Sequence, residues 1–301
     1  MNTLRLATRQ SKLALWQANF VKAQLEAIVP SCSVVLVPLL TEGDKITHCA
    51  LSEIGGKGLF IKRLEQALLD GEADFAVHSM KDVPPALSHE FCLPAVLQRA
   101  SPLDALVSVK YKNLKDLPKH AVVGTSSVRR TAQLKHIRPD LQIRSVRGNV
   151  DTRLSKLHEG QFDALILAEA GLDRLGLASH IREIFSSNVF LPSVGQGAIG
   201  IECLANHKEL QTVLSQLNHL ETQACIHAER AMNAAIGARC DSPVGSFAEI
   251  LSGQLMLRGE VLNREGSKKI TAAAEGNMLE AENLGFAVAR MLLEQGAKDL
   301  F

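Results

Sequence analysis

The stretch Ala121-Val122-Val123-Gly124-Thr125-Ser126-Ser127-Val128-Arg129-Arg130 decides the fold. An apolar run breaks at a glycine and three hydroxyl residues, then gives way to helical spacing as far as about His136; this is how a buried strand feeds a helix. Outward from there, the chain returns through Leu141 to Val146, enters a second helical stretch near Val150 to Glu159, and reaches the apolar run Ala164-Leu165-Ile166-Leu167. The order is β-α-β-α-β. It has already occurred once: Leu4 to Ala7 predicts a strand, Lys12 to Ile28 a helix, Val34 to Leu39 a strand, Leu59 to Leu69 a helix and Ala73 to Val77 a strand. The corners match as well, with Thr8-Arg9-Gln10-Ser11 in the first copy and Thr125 to Arg130 in the second. Such alternation predicts two α/β lobes with parallel, doubly wound sheets whose ligands sit outside the carboxyl ends of the strands. Arg9, Ser11, Asp82, Ser127 and Arg129 fall at those ends, so a cleft between the lobes is the expected site. From about Leu220 the spacing changes. A helix over Glu221 to Ile236, a loop with Cys240 and Pro243, alternating strands near Phe247 to Leu251, Gln254 to Val261 and Lys269 to Ala274, and a last helix over Leu279 to Glu294 predict a small α+β domain.

The second copy also carries the charge. Thr125 to Lys156 holds eight Arg or Lys against two acids, a local excess of +6 in a chain whose net charge is +1. Arg129 and Arg130 follow the Gly-Thr-Ser-Ser corner, and Arg147 and Arg153 bracket Gly148-Asn149-Val150-Asp151. Helix starts offer unpaired N–H groups, and guanidinium forks add bidentate contacts to carboxylate or phosphate. The pattern expects an anion with several negative groups. Arg138, Lys135 and Lys156 fit an ordinary solvated helix face. A nucleic-acid patch would select the same residue types, but the segment has no Phe, Tyr or Trp for stacking on bases, so a small polyanion is favoured.

Composition bounds the rest. At 301 residues and 46% hydrophobic content, two or three domains are expected. The start, Met1 to Arg5, has no signal-peptide pattern and no apolar run approaches membrane-spanning length, which makes the cytoplasm the default. The six cysteines show no CxxC spacing, so neither a disulfide framework nor a zinc site is indicated. Most of them read as small core residues.

Individual residues read two ways. Asp82 is a carboxylate beside Lys81, suited to stabilising a developing cation, although capping the turn before Val83-Pro84-Pro85 is the simpler local reading. His78 is either a base or a core histidine. Cys240, next to Arg239, is either an activated thiol or an inert one. Gly55-Gly56-Lys57-Gly58 precedes a helix but lacks P-loop spacing, so alone it reads as a flexible turn.

Together these blocks resemble the porphobilinogen deaminase (hydroxymethylbilane synthase) family. The resemblance runs through Ala7 to Ser11, Gly55 to Phe60, Val77 to Pro84, Gly124 to Arg130, Arg147 to Val150, Val194 to Ala198, and Glu229-Arg230-Ala231 leading to Cys240. It implies two lobes similar to periplasmic binding proteins and a small third domain: 1–97 with 198–218, 98–197, and 219–301, the hinge lying at Leu191 to Ala198. It also implies a dipyrromethane cofactor joined by a thioether to Cys240, no metal, a monomer, and a small-molecule substrate with no membrane or nucleic-acid partner. It implies that four porphobilinogen units are then added head to tail with loss of ammonia and that the linear hydroxymethylbilane is released by hydrolysis. Asp82 is implied as the catalytic carboxylate. Lys81, Thr125, Ser126, Ser127, Arg129, Arg130 and Gly148 are implied to bind the cofactor, and Arg9, Ser11, Gln17, Arg147, Arg153 and Gln196 the substrate. Lys57 and Phe60 belong to the implied active-site loop. The competing function is a non-catalytic polycarboxylate-binding protein; a nucleic-acid regulator ranks third.

Five positions depart from the family pattern. Arg239 stands where glycine is expected beside the cofactor cysteine and predicts a crowded attachment loop. Ser242 replaces a β-branched apolar residue. Glu53 and Arg63 carry reversed signs, which suggests that they pair with each other. Glu169 places an acid near the second-lobe strand end, where it would weaken anion binding.

Overall fold

The computed structural model describes residues 3–41, 61–239 and 241–301. They form two compact units, Met1–Ala100 with Ala198–Gln223, and Ser101–Gly197 with Ala224–Phe301.

In the first unit, β1 (Thr3–Arg9), β2 (Ser33–Leu39), β3 (Phe75–Ser79), β4 (Phe91–Val96) and β10 (Ile199–Leu204) form one sheet in the order β2-β1-β3-β10-β4. β1 pairs in parallel with β2 and β3, as the repeat predicts. The other two strands run antiparallel, β10 against both β3 and β4, so the sheet is mixed rather than wholly parallel. The reason is connectivity: β10 comes back from the other unit and enters from the opposite end. Alternation within the strands explains helices on both faces. Leu4 and Leu6 of β1 and Phe75 and Val77 of β3 pack with Ala18, Val21 and Leu25 of α1 (Lys12–Ile28). Ala7 and Ala76 point the other way, onto Leu64, Ala67 and Leu68 of α2 (Lys62–Leu69). The beginning of the helix read from Leu59 lies outside the described residues.

The second unit repeats the scheme. β5 (Asp104–Val107), β6 (Val122–Gly124), β7 (Gln142–Arg144), β8 (Ala164–Ala168) and β9 (Ile181–Ile184) form a sheet in the order β7-β6-β8-β5-β9. β6 is parallel to β7 and β8, and β5 is antiparallel to β8 and β9. Leu106, Val123 and Ile166 face Leu134 of α3 (Val128–Ile137), whereas Ala105, Val107, Leu165 and Leu167 face Leu154 and Leu157 of α4 (Val150–His158). Helix α5 (Glu169–Arg174) follows β8 directly.

The last sheet is an antiparallel meander of β11 (Val244–Leu251), β12 (Gln254–Leu262) and β13 (Lys269–Gly276). Helix α6 (Lys208–Leu214) leads to α7 (Leu220–Ala235), and α7 with α8 (Ala281–Glu294) covers the meander through Ala228, Met232, Val288 and Leu292 on Leu255 and Leu257. The fold is therefore two α/β lobes with a small α+β domain. Among the described residues, no helix is long and apolar enough to cross a membrane.

Candidate active site

The corner read first in the sequence is built around one carboxylate. Asp104 opens β5 and is fully buried. Arg129 donates from Nη2 to Asp104 Oδ2 at 2.7 Å, and Arg130 donates from Nε and Nη2 to Oδ1 at 2.9 and 2.6 Å. Gln196 adds an Nε2 donor to the same Oδ1 at 2.9 Å. Burial opposes ionisation of Asp104, yet the two guanidiniums and the amide outweigh it and hold its pKa at about 2. Other donors reach backbone, Arg129 Nη1 to Leu191 O at 2.6 Å, Arg130 Nη1 to Ile166 O at 3.0 Å and Gln196 Nε2 to Pro102 O at 2.6 Å, while the buried Nε of Arg129 has no hydrogen-bond partner. Arg129 and Arg130 thus sit below the corner, clamped in the protein, and their charge is half neutralised there. Arg138, expected on a solvated face, is a tie as well, bonded to Asp140 and to the carbonyls of Leu114 and Leu117.

Arg147 and Arg153 are different. Among the described residues neither forms an ion pair, and the buried Nε of Arg147 has no hydrogen-bond partner. Arg153 Nε donates to Gly148 O at 2.8 Å, and Lys156 Nζ reaches Arg147 O at 3.3 Å, so Lys156 also belongs here rather than to a solvated face. Burial, and then repulsion from Arg130 and Arg147, lowers Arg153 to about 10. The cluster is therefore more than a solvated face; it carries a positive charge that an anion would relieve.

The surrounding backbone is shaped for the same purpose. Gly148 has φ +108, and a Cβ there would lie 2.8 Å from Thr152 Cβ, so the loop between Arg147 and Arg153 requires glycine. Ser127 caps α3, its Oγ accepting from Arg130 N at 3.4 Å. Thr125 Oγ1 accepts from Ser127 N at 3.2 Å, and Ser126 Oγ donates to Val146 O at 2.5 Å, which ties the β6 corner to the segment leading into Arg147. The structure thus brings Thr125, Ser126, Ser127, Arg147, Gly148 and Arg153 to the carboxyl ends of β6 and β7. Glu169 starts α5 and accepts a short hydrogen bond from Ser101 Oγ.

In the first unit, Arg9 ends β1 and Ser11 caps α1, accepting from Ala14 N at 3.3 Å. Gln17 is buried and donates to Ser79 Oγ at 2.9 Å. Met80–Asp82 forms a single 3-10 turn after β3; Met80 is buried against Gly200, and Lys81 and Asp82 are exposed. Burying Met80 presents the next two side chains outward. His78 is a core histidine, its Nε2 lying 2.7 Å from Glu202 Oε2 in a buried pair. Arg63 donates to Glu72 at 2.7 Å.

Cys240, Lys57, Phe60 and Glu53 lie outside the described residues. On either side of Cys240, Arg239 N donates to Ser242 Oγ at 3.0 Å and Ser242 N donates to Arg239 O at 3.0 Å. The two departures from the family pattern thus bond to each other. The sequence reading missed Asp104, an acid opening the apolar run Asp104-Ala105-Leu106-Val107. An acid at the head of a buried strand was the available signal. The sequence reading named Glu229 only within a motif and not for its role: its carboxylate accepts from Gly195 N at 2.7 Å and Ala248 N at 2.8 Å and so holds the Gly195–Gly197 turn. Among the described residues, no group of His, Cys, Asp or Glu is arranged to hold a metal.

Comparison with known proteins bears on this site. Residues 4–212 match the family model described as porphobilinogen deaminase, dipyromethane cofactor binding domain, and residues 223–294 match the porphobilinogen deaminase C-terminal domain. A porphobilinogen deaminase of Chromobacterium violaceum is 49% identical over 300 residues, spanning 100% of this chain and 97% of the relative. Among solved structures, the methionine-binding protein MetQ is similar with a TM-score of 0.47 at 12% identity, over 71% of this chain and 89% of that one. An ancestral cationic amino acid solute-binding protein has a TM-score of 0.47 at 17% identity, over 71% and 87%.

Proposed function

The chain belongs to the porphobilinogen deaminase family, and from that premise we propose how its own residues divide the work. The enzyme is a hydroxymethylbilane synthase: a transferase that joins porphobilinogen units head to tail, with loss of ammonia, onto a dipyrromethane cofactor and releases hydroxymethylbilane. Family membership sets aside the competing reading of a non-catalytic polycarboxylate binder.

The observation that carries the assignment of roles is the excess of guanidinium over carboxylate around Arg147 and Arg153. Every pyrrole of cofactor and substrate bears two carboxylate arms, and the donor set at the β6 and β7 ends fits them: two arginines without ion-pair partners among the described residues, Lys156, and the start of α3. Arg147 and Arg153 bind these carboxylates directly. Thr125, Ser126, Ser127 and Gly148 shape the cradle and supply hydroxyl and backbone donors. Arg129, Arg130 and Gln196 act from beneath: with their strong donors committed to Asp104, they hold the corner rigid and contribute long-range positive potential. Arg9, Ser11 and Gln17 in the first unit serve the incoming substrate, Lys81 serves the cofactor, and Lys57 and Phe60 belong to the active-site loop. Dipyrromethane, when bound, supplies the pyrrole α-carbon that attacks the incoming substrate carbon. As positive charge develops on ring nitrogens, the exposed carboxylate of Asp82 accepts hydrogen bonds from the ring N–H groups and stabilises that charge.

The thiol of Cys240 holds the cofactor as a thioether, and the neighbouring Arg239 favours the thiolate needed to form it. We divide the chain into domains 1–97 with 198–218, 98–197 and 219–301. We also read it as a cytoplasmic monomer without membrane or nucleic-acid partners, which sedimentation tests; a stable dimer contradicts it. The attachment is tested by intact mass. Protein from cells that make porphobilinogen should carry an adduct of two pyrrole units, and Cys240→Ala should lack it. An adduct retained by Cys240→Ala contradicts the assignment.

A further inference from the structure

Outside this site, one pair of reactive side chains faces each other across a strand boundary. Cys92 on β4 and Cys203 on β10 are register partners in the antiparallel ladder, and their sulfurs are 3.7 Å apart. Both are thiols in the structure, Cys203 buried and Cys92 half-buried. Directly paired residues in an antiparallel sheet have Cα atoms about 4.5–5.5 Å apart, inside the span a disulfide bridges. The pair adjoins an irregularity in the ladder between Ile201 and Cys203, and its sulfurs need only close from 3.7 Å to the bond length of about 2 Å.

We propose that Cys92 and Cys203 form a redox couple that closes to an intramolecular disulfide under hydroperoxide and reopens to a thiol reductant. The hydrogen bond between the sulfurs divides the roles. Either sulfur can donate that bond, and Cys92 Sγ also reaches Cys203 O at 3.7 Å; when Cys203 S–H is the donor, the bond lowers the Cys92 thiol, against burial and with help from Lys208, while the same bond and burial push Cys203 up. Cys92 is also the more accessible of the two. Its thiolate attacks the hydroperoxide O–O bond, giving the sulfenic acid and expelling hydroxide, which takes up the thiol proton as water. The Cys203 sulfur then attacks the Cys92 sulfur, the S–O bond breaks, and a second water leaves with the Cys203 proton. Two thiols are oxidised by two electrons and one hydroperoxide is reduced. The cross-link joins residues 111 positions apart. It ties β4, after which the chain leaves the first unit, to β10, with which it returns. Of the other described thiols, Cys32 is pushed up by burial and then by Glu26, and Cys225 belongs to the C-terminal core.

The test uses the cofactor-loaded enzyme treated with stoichiometric hydrogen peroxide, denatured in iodoacetamide and digested without reductant. The expected result is a loss of two hydrogens in the intact mass and one cross-linked peptide pair containing Cys92 and Cys203, both reversed by dithiothreitol. In Cys92→Ser, neither change should occur. Recovery of Cys92 and Cys203 as separately alkylated peptides, a sulfinic acid on Cys92, or a disulfide between two chains would each overturn the proposal. The wild-type digest decides the matter even if the variant folds poorly.

Discussion

At the scale of single residues, the surprise is that the most conspicuous arginines in the sequence are not the ones left to meet an anion. Arg129 and Arg130 are neutralised in part by Asp104, while the more scattered Arg147 and Arg153 keep their charge without an ion-pair partner among the described residues. Replacing Asp104 by Asn should leave two buried guanidiniums without their anion, costing about 3–5 kcal/mol at neutral pH. The pH dependence follows from the sign of the shift. A carboxyl depressed from 3.8 to about 2 contributes stability that is complete above pH 4 and is lost as pH falls through 2, amounting to about 2 kcal/mol. Urea midpoints measured from pH 7 to pH 2 should therefore fall steeply in the parent and less so in Asp104→Asn; parallel curves would contradict the clamp. Asp82→Asn is the opposite case. Its side chain is exposed, so thermal stability and cofactor adduct should be unchanged while turnover falls by about 100-fold or more. Near-parental turnover would remove Asp82 from the chemistry.

At the scale of elements, the repeat was readable because its strands and helices alternate at different periods. Helix Lys12–Ile28 and the parallel strands at the heart of each sheet lie where the spacing put them. The antiparallel strands β4, β5, β9 and β10 were not read. They are short and without a turn motif, β5 and β10 being buried on both faces and β9 a half-exposed edge strand, so only the partner strand distinguishes them from loop. The same holds at the site. The positions of Thr125, Ser127 and Gly148 were legible from local turn chemistry, whereas the clamp on Asp104 depends on a contact between residues 25 and 26 positions apart, beyond any local spacing. The turn before β13 carries another long-range contact. Gly266 has φ +71, and a Cβ there would lie 2.5 Å from Ala132 O and 2.7 Å from His136 N, backbone atoms of α3 that cannot yield. His136 Nδ1 meets Gly266 O at 2.9 Å on the same contact. Gly266→Ala should therefore destabilise by about 1–3 kcal/mol, seen as a lower Tm. An unchanged Tm would mean that this turn does not rest on α3.

At the scale of the whole molecule, the proposed site is the set of β6 and β7 strand ends, where Arg147 and Arg153 would hold a lengthening polyanion. Rigidity comes from Asp104 and Glu229, both buried acids that bind the Leu191–Gly197 segment or its neighbours, and affinity comes from arginines that the fold leaves unmatched. These are separable, because Arg147 and Arg153 pay little into the fold's own ion pairs. The most direct measurement is the intact-mass ladder of enzyme species formed by Arg147→Leu when it is given porphobilinogen, read alongside its Tm. The account predicts a loaded enzyme with parental Tm that stalls after fewer added pyrrole units than the parent. Full-length elongation at the parental rate would show that Arg147 does not hold the growing chain.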